Sequence, residues 1–145
     1  VREAYEKLLK CLTGKNYFMI TVCDDELLYE TGFREDRIVR PLAEEESGAQ
    51  GEKEGCVQCA HLPRWETYMK WLQGTLHRRL LVLELGVGLR YPQVIRFPFE
   101  KIVYLNQQAE FIRVHDKLFQ LPEQISGKAI SISSDVVRLF ADAEI

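Results

Sequence analysis

The chain has 145 residues, of which 46% are hydrophobic and 28% charged, and its net charge is −3. This is typical of one soluble domain, and the slight negative charge argues against a nucleic-acid-binding protein. The apolar runs are shorter than the roughly 18–20 residues that span a membrane, and no secretory signal is visible. We therefore expect a cytoplasmic protein with reduced thiols at Cys11, Cys23, Cys56 and Cys59.

The first third of the sequence alternates helical and strand-like segments. REAYEKLLKCL, at residues 2–12, has its apolar residues at the spacing of an amphipathic helix. NYFMITVC, at 16–23, is aromatic and β-branched with little polar alternation, which is typical of a buried parallel strand. A short helix is expected at 24–31 and a short strand at 37–39.

The middle of the sequence begins with its most polar stretch. We expect a flexible loop at about 43–62, because this stretch is rich in glutamate and glycine. Apolar residues at helical spacing predict a helix at 64–77, and the run LLVLEL predicts a buried strand at 80–85. A second helix is expected at 92–105, interrupted or restarted near Pro98.

The last third predicts two more strands and a terminal helix. The strands are AEFIRVH at 109–115 and KAISIS at 128–133, and the helix lies at 135–143 with Ser133 or Ser134 as its N-cap. Strands that alternate with helices indicate an α/β fold. We predict a single domain with a Rossmann-like, mostly parallel sheet and helices on both faces.

Two glycines directly after the strand at 80–85 form the most informative motif. Ligands of α/β proteins bind beyond the carboxyl ends of parallel strands. Glycine at that position lets backbone N–H groups approach a phosphate or ribose. Gly86-Val87-Gly88 is not the dinucleotide fingerprint G-x-G-x-x-G, so on the motif alone a plain turn and a binding site remain equally open.

Three other residue types are candidates for chemistry, each with an ordinary structural alternative. Asp24 and Asp25 follow a strand, where a carboxylate either caps a helix or contacts a ribose or a water. His115 ends a strand at the same edge and either faces a ligand or lies on the surface. Cys56-x-x-Cys59 has the spacing of half a zinc site, but reduced structural thiols are favoured because no second ligand pair is apparent.

Several segments together resemble the sirtuin family. KNYFMITVCDDELLYETGF, at 15–33, is similar to the sirtuin segment that reads as a strand, Thr-Asn-Val-Asp and a helix ending in Gly-Phe. WETYMKWLQGT, LLVLELGVG and YPQVIRFPFEKI are similar to bacterial sirtuin-like proteins, including those encoded beside macrodomains. The resemblance covers most of the chain, with its strongest pieces at 80–105 and 109–125.

The resemblance implies NAD as cofactor, an incomplete sirtuin fold, and protein deacylase or ADP-ribosyltransferase activity. The acceptor of such a reaction is an acyl-lysine or another protein group. Asp25 matches the aspartate of the family's Asn-x-Asp motif, and Gln50 is similar to the glutamine that replaces the catalytic histidine in the macrodomain-linked subgroup. The residues carried over to NAD binding are Gly86, Val87, Gly88, His115, Ser134 and Asp135.

The departures from the family are equally specific. Cys23 stands where the family has an asparagine that holds the nicotinamide ribose, and a thiol forms weaker hydrogen bonds. The zinc module and the Gly-Ala-Gly-x-Ser phosphate loop have no counterpart, so a preceding segment or a second chain is expected to supply the loop. We therefore predict no metal site and no NAD turnover by this chain alone. The alternative function is a non-catalytic domain that binds NAD, ADP-ribose or a protein partner.

Overall fold

The computed structural model describes residues 1–23, 25–41 and 62–145. The contacts divide the chain into two compact units, essentially Ala4–Gln73 and Gly74–Glu144. All strand pairs in the described residues are parallel, which confirms the predicted α/β class. The single domain over 1–145 and the helices on both sheet faces stay predictions.

In its described residues, the unit Ala4–Gln73 combines three helices with a short two-stranded sheet. Strands β1 and β2 pair in parallel, with Met19 opposite Ile38 and Ile20 opposite Val39. Both residues of β2 are fully buried, so the sheet lies inside this unit although it is short. In chain order the elements are α1 Arg2–Leu12, β1 Met19–Ile20, α2 Glu26–Glu30, a 3-10 turn at Glu35–Arg37, β2 Ile38–Val39 and α3 Leu62–Gly74.

The predicted strand at 16–23 is reduced to two residues because the chain before β1 makes other contacts. Phe18 packs on the aromatic rings of α3, with centroid distances of 5.6 Å to Tyr68 and 5.2 Å to Trp71. The Tyr17 hydroxyl accepts the backbone N–H of Arg34 at 3.2 Å. Aromatic packing on a helix therefore replaces most of the expected ladder hydrogen bonds.

The unit Gly74–Glu144 contains a three-stranded parallel sheet in the order β3-β4-β5. Leu80 is opposite Ala109 and Leu85 opposite Val114, so the first two strands are paired along their full lengths. Phe111 to Val114 pair with Ala129 to Ile132. The elements are β3 Leu80–Leu85, α4 Arg96–Leu105, β4 Ala109–Val114, a 3-10 segment at Glu123–Lys128, β5 Ala129–Ile132 and α5 Val136–Asp142.

One face of this sheet carries the core of the unit. Alternate residues of β3 and β4 point to the same face, as the two-residue period of a strand requires. Burying such side chains stabilises the unit by about 25 cal/mol for each Å² of apolar surface removed from water. The buried cluster consists of Val82, Val103, Ala109, Phe111 and Ile125.

Helix boundaries differ from the sequence prediction at three places. Helix α4 begins at Arg96 rather than at 92, and Pro98 lies in its first turn, where a missing N–H breaks no helical hydrogen bond. Helix α5 is capped by Asp135 rather than by Ser133 or Ser134. Helix α3 ends at Gly74, before the predicted end at 77. The predicted loop at 43–62 lies almost entirely outside the described residues.

In the described parts of the chain, no helix is both long and apolar enough to cross a membrane.

Candidate functional site

The carboxyl ends of β3, β4 and β5 bring the predicted ligand-binding positions to one sheet edge. Gly86 follows β3, and its N–H donates to the carbonyl of Val114 at 2.9 Å. His115 follows β4, and its N–H donates to the carbonyl of Ile132 at 3.1 Å. The Ser133 hydroxyl after β5 donates to the Asp116 carbonyl at 3.3 Å. We call this row, Gly86–Gly88, His115–Asp116 and Ser133–Asp135, the carboxyl edge.

The glycine turn of the carboxyl edge has two different glycines. Gly86 has φ of 63°, the left-handed region that favours glycine, and an added Cβ would meet Val136 Cγ2 at 3.4 Å. Gly88 has ordinary backbone geometry, and a Cβ there would have no atom within 4 Å. Within the described residues, the Gly88 N–H donates to no protein acceptor. The first glycine therefore makes the turn, and the second leaves open space and a free donor.

The imidazole of His115 is held by the loop that follows β4. Its Nδ1 accepts the backbone N–H groups of Lys117 at 3.0 Å and Leu118 at 2.9 Å. Asp116 Oδ1 also lies 2.9 Å from Nδ1, a contact that is favourable only when the ring is protonated. Because two backbone N–H donors are directed at Nδ1, Nε2 is the ring nitrogen left to contact a ligand. His115 can thus offer its Nε2 to a ligand.

Ser134 and Asp135 form the entry to helix α5. Asp135 Oδ1 accepts the backbone N–H of Arg138 at 2.9 Å, which is the hydrogen bond of an N-cap. The Ser134 hydroxyl donates to the Asp135 carbonyl at 3.2 Å. The predicted binding role and the structural capping role therefore coincide at Asp135.

A buried charge cluster underlies the carboxyl edge, and the sequence prediction missed it. Arg113 donates from Nε to Glu84 Oε1 at 2.7 Å and from Nη2 to Glu84 Oε2 at 3.0 Å. The same Nη2 donates to Glu100 Oε1 at 2.7 Å, and Nη1 donates to the Gln120 carbonyl at 2.6 Å. The side chains of Arg113 and Glu84 are each only 1% exposed. The guanidinium thus fixes β3, α4 and the loop after β4 relative to one another.

Arg96, the first residue of α4, is the second buried cation of this region. Its Nη1 donates to the Val87 carbonyl at 3.1 Å and its Nη2 to the Leu118 carbonyl at 2.5 Å. Burial lowers the pKa of Arg96, and the positive charge of Arg113 lowers it further. Burial alone would also lower the pKa of Arg113, but the hydrogen bonds and charges of its two glutamates outweigh this and raise it. Both guanidinium groups remain protonated at any physiological pH.

The sequence contains a signal that could have revealed the buried pair. Glu84 and Arg113 each lie two residues before the edge positions Gly86 and His115, inside otherwise apolar strands. In a parallel sheet they become register partners, as the structure shows. Opposite charges at equal distances from the ends of two buried strands therefore predict an ion pair.

The predicted catalytic residue Asp25 lies in the other unit, where it is the N-cap of α2. Its Oδ1 accepts the N–H of Leu27 at 3.0 Å, and its Oδ2 accepts the Tyr5 hydroxyl at 2.9 Å. Burial raises the pKa of Tyr5 to about 12, and the hydrogen bond and charge of Asp25 contribute in the same direction. Both carboxylate oxygens of Asp25 are therefore engaged within its own unit.

The remaining predicted chemistry falls on residues that are not described. Gln50, Cys56 and Cys59 lie outside the described residues. In residues 1–23, 25–41 and 62–145, no group of three or more His, Cys, Asp or Glu side chains is arranged to hold a metal ion. Cys11 and Cys23 are free thiols, and Cys23 is exposed.

Comparison with known proteins shows a weak similarity to a curated protein. No protein-family model matches the chain. The chain is 26% identical over 84 residues to the Protein ADP-ribosyltransferase of Staphylococcus aureus (strain Mu50 / ATCC 700699). The matched region is 58% of this chain and 26% of that protein, so the chain spans about a quarter of the length of this curated relative.

Proposed function

We propose that this chain is part of an ADP-ribosyltransferase-like protein of the sirtuin kind and that its carboxyl edge binds the ADP-ribose part of NAD. One observation carries the proposal. The residues that the resemblance assigns to NAD follow three adjacent parallel strands, and the backbone hydrogen bonds of Gly86 and His115 join them into one edge. This is the position where open α/β sheets bind ligands. The similarity to a protein named ADP-ribosyltransferase supports the same ligand class.

The groups on the edge suit the parts of ADP-ribose. The free Gly88 N–H and the open space around its Cα suit the close approach of a phosphate oxygen. The Nε2 of His115 suits a ribose hydroxyl, because Nδ1 is already occupied by backbone donors. Ser134 and Asp135, at the start of α5, are then the candidates for contacts to adenine.

The catalytic part of the proposal depends on Asp25 and Gln50. In a transferase of this kind, they would orient the nicotinamide ribose and the acceptor, which is an acyl-lysine or another protein group. Glutamine positions a hydroxyl but does not remove its proton near neutral pH. Asp25→Asn preserves a good N-cap while removing the charge, so it tests the carboxylate without unfolding α2.

A second candidate, an ADP-ribose-binding domain without turnover, is favoured by the surroundings of Asp25. Tyr5 and Leu27 occupy both oxygens of this carboxylate, and Cys23 replaces the family's asparagine nearby in sequence. Under this candidate the carboxyl edge still binds the ligand, but no group activates the nicotinamide bond.

Two measurements on the purified chain separate the candidates. Calorimetric titration with ADP-ribose and with NAD tests binding, and Gly88→Val, which fills the open space, is the matched variant. Release of nicotinamide from NAD, compared between the wild-type chain and Asp25→Asn, tests turnover. Binding with turnover supports the transferase and contradicts the expectation that this chain alone does not turn over NAD. Binding without turnover agrees with that expectation and supports the second candidate for this chain by itself. No heat and no thermal shift at millimolar ligand would reject both.

A further inference from the structure

The side chain of Arg96 links two loops that start at the carboxyl edge. One loop follows β3 and contains Val87, and the other follows β4 and contains Leu118. The guanidinium donates one hydrogen bond to the backbone carbonyl of each. Arg96 is only 6% exposed, so these bonds form away from bulk water. A single buried side chain therefore hydrogen-bonds both loops.

The two hydrogen bonds of Arg96 are suited to holding the two loops in position. Burial removes water from the guanidinium, and the two hydrogen bonds to carbonyl groups offset part of this desolvation cost. Both bonds are charge-assisted and use two donors of one planar fork, so the loops are fixed in distance and in direction. Arg113 acts on the second loop in the same way, through its 2.6 Å hydrogen bond to the Gln120 carbonyl.

Both loops carry groups that the proposed function assigns to the ligand. Val87 lies between the two glycines of the turn, one residue before the free N–H of Gly88. Leu118 donates its own N–H to His115 Nδ1 at 2.9 Å. Arg96 therefore contacts the residue next to the phosphate candidate and a residue that orients the ribose candidate.

We propose that Arg96 is a positioning residue that holds the glycine turn and the His115 loop at the separation one ADP-ribose molecule requires. The inference rests on the proposed function for the identity of the ligand, but the link between the loops does not depend on it. Lysine keeps the charge at this position but lacks the planar fork, so it does not hold both carbonyls in the same geometry.

The test compares Arg96→Lys with Arg79→Lys, a matched change at an exposed arginine before β3. The first readout is amide hydrogen exchange without ligand. We expect Arg96→Lys to accelerate exchange about tenfold at 86–91 and 116–121, the loss typical of one charged hydrogen bond, with β4 unchanged. Arg79→Lys should exchange like the wild-type chain. Wild-type exchange in Arg96→Lys, or equal acceleration across β4, would overturn the proposal.

The second readout is ADP-ribose affinity, which we expect Arg96→Lys to weaken about tenfold, while Arg79→Lys stays within about twofold. Unchanged affinity in Arg96→Lys would contradict a positioning role for this ligand. If the wild-type chain itself fails to bind ADP-ribose, the proposed function fails, while the exchange readout still decides whether Arg96 links the loops.

A third measurement needs no variant that could fail to fold. In the wild-type chain, hydrogen bonds at both terminal nitrogens of Arg96 should slow rotation of its guanidinium. We expect separate ¹⁵Nη resonances for Arg96 in nuclear magnetic resonance spectra. A single averaged resonance would overturn the proposed link.

Discussion

Arg113 and Glu84 face each other on adjacent strands and form a two-pronged ion pair whose side chains are 1% exposed. The removal of one partner of such a pair destabilises the fold strongly, because it leaves an unpaired charge in the interior. Glu84 lies two residues before Gly86, and Arg113 lies two residues before His115. The ion pair therefore connects the packing of the sheet to the geometry of the carboxyl edge.

Arg113→Met should destabilise the chain by about 3–5 kcal/mol, because it leaves Glu84 buried without its cation. Glu84→Gln should cost less, about 1–2 kcal/mol, because Arg113 keeps its hydrogen bonds to Glu100 and Gln120. Urea unfolding measures both changes. The double variant Glu84→Leu with Arg113→Met is the control and should recover much of the loss. Equal costs for the two single variants would contradict this account.

The glycine turn predicts opposite results for two alanine variants. Gly86→Ala forces a side chain into the left-handed region and should destabilise the chain by about 1–2 kcal/mol. Gly88→Ala meets no atom within 4 Å and should leave the free energy of unfolding unchanged. If a ligand approaches Gly88, Gly88→Ala should weaken ADP-ribose binding without loss of stability. Thermal unfolding and calorimetry together check both, and a stability loss in Gly88→Ala would refute the assignment.

Asp135 offers a way to separate capping from ligand binding. Asp135→Ala removes the N-cap hydrogen bond to Arg138 and should cost about 1 kcal/mol in urea unfolding. Asp135→Asn keeps an N-cap oxygen and should be nearly as stable as the wild-type chain. We also expect the asparagine variant to bind ADP-ribose more tightly than the alanine variant, because the loop stays ordered. The reverse order of affinities would show that the cap does not support the site.

The buried Tyr68 and the half-buried Tyr5 predict how stability depends on alkaline pH. The pKa values of Tyr5 and Tyr68 are both raised from 10.0 to about 12, in each case chiefly by burial. A raised folded pKa contributes stability that is present below the unfolded pKa and is lost as pH rises through the folded value. Stability should therefore fall between about pH 10 and pH 12. Tyr5→Phe and Tyr68→Phe should each reduce this fall, and an unchanged slope in both would contradict the assignment.

The sequence predicted the elements whose ends are marked by strong local signals. Helix α1 and strand β3 have the predicted bounds because a clear apolar period and flanking glycines define them. Strand β1 was predicted too long because its aromatic residues pack on α3, a contact between residues far apart in sequence. The cap of α5 was misplaced because Ser133, Ser134 and Asp135 are all good N-caps, and tertiary structure chooses among them.

The residues of the candidate site were also predicted only in part. The resemblance predicted its edge residues, and the parallel register brings Gly86 and His115 to one edge. The supporting arginines were missed because Arg96 and Arg113 act through backbone carbonyls, which a sequence pattern does not display. Contacts made by a long side chain to loops depend on the packing of the whole unit.

Binding of ADP-ribose at the carboxyl edge is tested most directly by amide chemical-shift mapping. Addition of ADP-ribose to the ¹⁵N-labelled chain should shift the amides of Gly86, Gly88 and His115 together with those of Ser134 and Asp135. Residues of the Phe18 and Trp71 aromatic cluster should stay unchanged and serve as the internal control. Shifts absent from the carboxyl edge at saturating ligand, or confined to the aromatic cluster, would contradict the account.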